Sequence, residues 1–416
     1  MSKKLFTVLS VCVIASLMLV ACGGTGAGGG GTTAGGTVKV VSDLPMTGSS
    51  LGQTQTIVNA IKMAFEEKNY KACNGTWTIQ YEAKDDASAA LGKWDPDVAT
   101  ANAKAYAADK NVVAVIGTYN SGAAKLEIPI VNPENLVMIS PANTYPGLTR
   151  EVAGVTEAGE PGKYYPNGKR NYSRVVAADH IQGAANVFWA RDLGAKSIYI
   201  LDDQETYGKG IADVVHVEAT KIGLNVLGQE GIDTKAADYK ALATKVIGLS
   251  PDLVYLGMIT QNGAGQVVKD LRGAGYTGII MGPDGIQEKA LIEAAGDAAE
   301  GVYGSFAGVT PDVMQGDAAT WKTAYKAKYN ADPEVYAVYG YVSVQVLLAA
   351  FESICTAGGK LSDRETVRAA VLATKNLSTV LGPMTFDENG DATTATMTGS
   401  RVVNGAWTFQ TFLPTK

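Results

Sequence analysis

The chain of 416 residues contains only two histidines, His180 and His216, and four cysteines. So little histidine constrains catalysis, because general acid–base chemistry at neutral pH draws on a positioned imidazole more often than on any other group. Neither histidine stands in a motif; each falls at the start or in the interior of an expected helix. Basic charge is also short. Lys and Arg number 35 against 41 Asp and Glu, for a formal net charge of −6. A nucleic-acid partner needs a basic face and is excluded on that ground. The cysteines divide by position: Cys12 and Cys22 lie near the N-terminus, and Cys73 and Cys355 remain as an even pair. In an oxidising compartment such a pair points to a disulfide, with two buried free thiols as the alternative. Cys73 sits in a polar Lys-Ala-Cys-Asn-Gly loop, which favours the bond.

What is present begins with an export signal. Lys3 and Lys4 precede an uncharged apolar run over 5–19, interrupted only by Thr7, Ser10 and Ser16. The run is shorter than the ~20 apolar residues of a spanning helix and reads as the core of a signal peptide over 1–21. It ends in Leu19-Val20-Ala21-Cys22, which resembles the lipobox of bacterial lipoproteins. That resemblance implies cleavage before Cys22 and a diacylglyceryl anchor on its thiol; two acyl chains anchor stably where one is marginal. Residues 23–36 are all Gly, Thr or Ala, a composition that stays flexible. Residues 22–37 therefore form the lipidated cysteine and a tether. Loss of residues 1–21, with two lysines and no acid, takes the net charge to −8.

The rest, about 380 residues, exceeds one ordinary core, and two lobes are expected. Short β-rich runs alternate with amphipathic segments. Strands are predicted over 38–42, 78–82, 112–116 and 136–139, with helices over 53–68, 97–109 and 121–131. Residues 151–171, rich in Gly, Pro, Lys and Tyr, read as a surface loop. A second series follows, with strands over 174–177, 197–201, 224–230, 253–257, 278–281 and 302–306 and helices between them. Helices over 318–329, 333–355 and 363–373 come next, then strands over 384–386, 400–403 and 407–412. This order implies α/β architecture: two doubly wound parallel sheets with a ligand cleft between them, lined by loops that follow strands.

Five such loops carry polar groups. Gly48-Ser-Ser50-Leu-Gly52 fits the nucleophile-elbow pattern, but it follows the first strand of the mature chain and has no adjacent base, so a hydrolase built on Ser50 ranks last. Gly117-Thr-Tyr119-Asn120-Ser121 places Ser121 at an expected helix N-cap, where free N–H groups and a hydroxyl favour an anion. Ser140-Pro-Ala142-Asn143-Thr144 offers backbone groups and a hydroxyl. Asp202-Asp-Gln-Glu-Thr-Tyr207-Gly opens another helix, and Gly282-Pro-Asp284-Gly carries an acid. Gly263-Ala-Gly265-Gln-Val-Val268, with Asp284 about 20 residues on, partly fits a dinucleotide fingerprint, but Val268 replaces its third glycine.

Taken together, Val115-Ile-Gly117, Ile139-Ser-Pro-Ala-Asn-Thr144, Tyr207-Gly-Lys-Gly210, Met281-Gly-Pro-Asp-Gly285, Gly296-Asp-Ala-Ala-Glu-Gly301 and Phe386-Asp-Glu-Asn-Gly-Asp391 resemble the type I periplasmic binding proteins, specifically the leucine/isoleucine/valine-binding family of ABC importers. The resemblance runs from Val38 to about Phe412. It implies that Ser121 and Thr144 hold a ligand carboxylate, that the Ala142 carbonyl and Asp284 hold its ammonium, and that Tyr207 covers it on closure. Tyr119, Asn120 and Asn143 flank these positions. It also implies a lobe 1 of 38–177 and 307–378, a lobe 2 of 178–306 and 379–416, and hinge crossings near 176–178, 306–309 and 377–381. The family's early disulfide is absent, the first loop is one residue short and lacks an aromatic, a second-lobe aromatic falls at Thr260, and 151–171 is an insertion. These departures point to a more polar ligand, another acid or an amide.

The expected protein is a monomeric, non-enzymatic lipoprotein at the outer face of the membrane or in the periplasm. It needs no metal or cofactor, takes a small amino-acid-like ligand (a branched-chain or related amino acid, or a similar small amide or acid), and works with an ABC permease and ATPase. A sensor signalling through a membrane partner is the alternative.

Overall fold

A computed structural model describes residues 35–394 and 396–415. The signal peptide and lipidated Cys22 lie outside the described residues.

The first sheet has the order β2-β3-β1-β6-β7-β8. In chain order its lobe begins with β1 (Gly36–Leu44), α1 (Leu51–Glu66), β2 (Lys71–Ala72) and β3 (Trp77–Asp85). A small hairpin of β4 (Ala87–Ser88) and β5 (Lys93–Trp94) leads to α2 (Pro96–Ala108). Then come β6 (Val112–Gly117), α3 (Ser121–Val131), β7 (Val137–Ser140) and β8 (Tyr172–Arg174). All pairings are parallel except β2 with β3. The central strands read as continuous apolar runs because helices cover both faces; all six residues of β6 are buried. The two-residue strands β2, β4 and β5 are too short to leave a periodic signal and were not expected. The strand expected over 174–177 is displaced: pairing with β7 ends at Arg174, whose guanidinium is fully buried beneath the sheet end.

The second lobe runs α4 (Asp179–Asp192), β9 (Ser197–Asp202), α5 (Thr206–Lys221), β10 (Asn225–Gly231), α6 (Lys240–Gly248) and β11 (Leu253–Gly257). It continues through α7 (Ala264–Gly273), β12 (Ile279–Gly282), α8 (Lys289–Ala295) and β13 (Tyr303–Phe306). The chain then returns to the first lobe as α9 (Gly316–Tyr329), α10 (Ala337–Thr356) and α11 (Arg364–Leu372), with a hairpin of β14 (Leu377–Thr379) and β15 (Gly382–Met384). It closes on β16 (Met397–Val403) and β17 (Ala406–Leu413), which add antiparallel to β13. The second sheet is therefore β10-β9-β11-β12-β13-β16-β17.

Helix α10 is long and apolar enough to cross a membrane, yet its face carrying Val342, Val346, Leu347 and Phe351 is buried in the first lobe's core with Ile57, Ile61 and Phe65 of α1. Gly340 permits this packing, because a Cβ there would meet Ile57 Cγ2 at 2.8 Å. Cys73 and Cys355 are joined by a disulfide that ties the turn after β2 to the end of α10.

Two crossings between lobes run side by side, with the Ala177 amide donating to the Ala307 carbonyl at 3.4 Å. The third lies later than expected at 377–381. Met384, Phe386 and Ala392 still pack into the first lobe's core, and the chain joins the second sheet only at Met397. The apolar faces of the hairpin hold it on the first lobe.

Candidate functional site

At the carboxyl ends of the two sheets, loops from both lobes enclose a cavity of about 20 Å³. Tyr119, Asn120, Ser121 and Ala142 line it from the first sheet's loops, Tyr207, Ile259, Asp284 and Gly285 from the second, and Tyr336 from the N-cap of α10. One water occupies roughly 10–15 Å³ on this measure. An amino-acid-sized ligand therefore enters only when the lobes part or the lining side chains turn away.

The second-lobe wall is preassembled. Tyr207, in the first turn of α5, donates from its hydroxyl to Asp284 Oδ1 at 3.0 Å and accepts the Gly285 amide at 2.9 Å. Gly285 is required here: a Cβ would meet Tyr207 Cε1 at 2.6 Å and the Met258 carbonyl at 2.9 Å. Across the cavity, the Tyr336 hydroxyl donates to the other Asp284 oxygen. Further bridges between the lobes run from Tyr119 to Glu288 Oε1 at 3.1 Å, from Lys93 to Glu205 at 3.0 Å and to Asn262 Oδ1 at 2.9 Å, and from the Asp179 amide to the Thr144 carbonyl at 2.8 Å.

The cleft is acidic, and among the described residues no lysine or arginine lines the cavity. Burial raises Asp284 above the usual carboxylate range, opposed by the hydroxyls of Tyr336 and Tyr207. Burial holds Asp179 well above its ordinary value, and the charge of Asp284 adds to the effect. Glu288 is pushed up to about 8, first by burial and then by the charge of Glu334, against hydrogen bonds from Tyr119 and Gln261. These carboxyls would all be relieved by a cation placed among them.

The structure brings six of the expected residues to one cavity: Tyr119, Asn120, Ser121, Ala142, Tyr207 and Asp284. Two stand behind it. Asn143 is a brace, donating to the Tyr119 carbonyl at 2.9 Å and accepting from Tyr172 at 3.1 Å. The Thr144 hydroxyl is buried facing Asp179, with no hydrogen bond of ordinary length among the described residues. The cap of α3 also shifts by one: Asn120 is the N-cap and Ser121 the first helical residue, since the extended backbone (φ −88°, ψ 133°) ends at Asn120. Tyr336, Ile259 and Glu288 were not expected. Tyr336 carries no local signal, because its place over Asp284 depends on a helix entering from the other lobe. Ser50 stands at the N-cap position of α1 without a side-chain capping bond, and neither histidine pairs with it: His216 Nδ1 pairs with Gln229, and His180 Nδ1 has no partner among the described residues.

A family model described as periplasmic binding protein matches residues 37–406. An amino acid binding protein of Pseudomonas aeruginosa is 28% identical over 83% of this chain and 85% of its own length. A Leu/Ile/Val-binding protein homolog 2 of Brucella abortus is 27% identical over 94% of each chain. Among solved structures, the leucine binding protein LivK of Thermotoga maritima superposes with a TM-score of 0.78 at 26% identity, over 90% of this chain and 98% of that one.

Proposed function

The chain belongs to the periplasmic binding protein family, as an extracytoplasmic solute-binding protein of its branched-chain amino-acid-binding group, and from that premise we propose that it captures an amino acid, or a similar small acid or amide, by hinge closure and passes it to an ABC permease. The observation that carries this reading is the composition of one cavity. Ser121 and Ala142 bring a hydroxyl and backbone groups from the first lobe, and Asp284 brings a buried carboxylate from the second. A zwitterion needs both kinds of partner in a dry cleft, because an unpaired buried charge is costly. The ammonium faces Asp284 and displaces the Tyr336 hydroxyl; the carboxylate faces the N-terminus of α3, where the free amides and the helix dipole favour it. The rest of the ligand lies against Tyr119, Tyr336 and Ile259, with Glu288 behind, a wall that accepts a more polar group than an aliphatic side chain.

Binding the closed state more tightly than the open one shifts the hinge equilibrium. The bending points are the crossings near 176–178 and 306–309 and a third crossing that follows the β14–β15 hairpin. A lipid on Cys22 holds the two-lobed body near its membrane partner.

A thermal-shift screen of amino acids and small amides identifies the ligand, since a ligand at 100 times its Kd adds about 2.7 kcal/mol. Asp284→Ala then weakens binding by roughly tenfold or more in calorimetry, as a lost charge-assisted partner should. Unchanged affinity overturns the role of Asp284. Cys22→Ser should abolish metabolic labelling with palmitate, and a fluorophosphonate probe should leave Ser50 unlabelled.

A further inference from the structure

Beneath the ligand loops, away from the cavity, three acids converge inside the first lobe. Asp43 is the penultimate residue of β1, Asp86 follows β3, and Glu127 lies on α3; all three are buried. Each offers an oxygen within 4.8 Å of those of the other two. Five of their six carboxylate oxygens have no hydrogen-bond partner; the sixth, Asp43 Oδ1, accepts from Asn102 at 3.0 Å. Among the described residues, no lysine or arginine forms an ion pair with any of them. A second observation comes from a different element. Tyr106 on α2 is 3% exposed and no hydrogen bond of ordinary length satisfies its hydroxyl; burial first, and then the charges of Asp43, Glu127 and Asp86, hold that hydroxyl well above its usual range, which places it against the cluster with Asp43 as its nearest acid.

Carboxylates buried without counter-charge are strongly disfavoured. Oxygens on opposite sides of a calcium ion, each 2.3–2.6 Å away, stand roughly 4.6–5.2 Å apart, and calcium takes six to eight oxygen ligands. We propose that Asp43, Asp86 and Glu127 form a structural site for a calcium-sized divalent cation, with the Tyr106 hydroxyl as a further oxygen ligand and the second carboxylate oxygens or water filling the rest of the shell. The sequence itself predicts no metal, because the three acids are 84 positions apart at their extremes and belong to no motif. The site is independent of whichever ligand the cleft holds. Its role is to brace the ends of β1 and β3 against α3, whose first residue, Ser121, lines the cleft.

The test uses the full folded protein prepared without chelator. Metal analysis should find about one calcium per chain, EDTA should lower Tm by several degrees, and 1 mM calcium should restore it. Terbium should bind with tyrosine-sensitised emission that calcium competes away. Glu127→Gln should remove both the calcium-dependent Tm shift and the terbium emission. Should that variant not fold, Tyr106→Phe serves, with weakened terbium emission expected. A wild-type protein that holds no metal, ignores EDTA and calcium and gives no terbium signal overturns the site; the carboxyls then share protons instead.

Discussion

Closure of the empty cleft should depend on pH through Glu288. In the closed form this carboxyl is buried between Tyr119 of the first lobe and Gln261 of the second, with Glu334 ahead of α10 and Asp284 on its own loop as the nearby acids. Lys289 and Glu293 act on Glu334 from α8. Burial and the neighbouring acids bring Glu288 to about 8. Opening returns it to water and to the ordinary carboxyl value near 4.3. The closed state therefore binds the extra proton. Closure is favoured below about pH 8 and loses that support as pH rises through 8. Taking this group alone, the closure constant should rise about 50-fold between pH 8 and pH 6, or ~2.3 kcal/mol. Asp284, raised in the same direction, adds with the same sign. Fluorescence energy transfer between labels at Lys110 and Lys221, exposed on opposite lobes, measures the equilibrium without ligand. Glu288→Gln keeps the side chain's shape and removes the charge, so it should be more closed at pH 8 and lose most of the slope between pH 8 and 6. A wild-type closure constant that does not change over that range, or a variant with the same slope, refutes the reasoning.

Replacing Cys73 and Cys355 by alanine opens a constraint across a sequence separation of 282 residues; chain entropy assigns it about 5.6 kcal/mol, and a lower urea midpoint should show most of that loss. Gly285→Ala drives a Cβ into Tyr207 and the Met258 carbonyl, so ligand affinity in calorimetry should fall at least tenfold while Tm changes little. Arg174 is fully buried and donates to Asp391 at 2.7 Å and to the carbonyls of Asn143 and Tyr145. Arg174→Met should cost about 3 kcal/mol in urea unfolding, the low end for breaking a buried pair, because Arg150 still holds the other Asp391 oxygen at 2.8 Å.

Much of the fold is legible in the sequence because parallel strands covered on both faces must be apolar runs, and the helices between them must carry a 3.6-residue period. β6, β9 and β11 fall within a residue or two of expectation for that reason. Short paired segments such as β4 and β5 escape, since two residues carry no period and their pairing depends on the turn between them. The third crossing was misplaced because a two-stranded hairpin reads the same whichever lobe its apolar side faces.

The sequence alone determines the alternation of elements, the loops that follow strands, and hence Ser121, Ala142, Tyr207 and Asp284 as groups near one edge of two sheets. Those positions are local: each sits a few residues beyond its own strand. Only the tertiary structure decides what meets them. Tyr336 reaches Asp284 from 52 positions away, Glu288 meets Tyr119 across 169, and Asp43, Asp86 and Glu127 share one buried spot. Such encounters have no sequence period, because they arise where separately folded layers are pressed together and water is excluded between them.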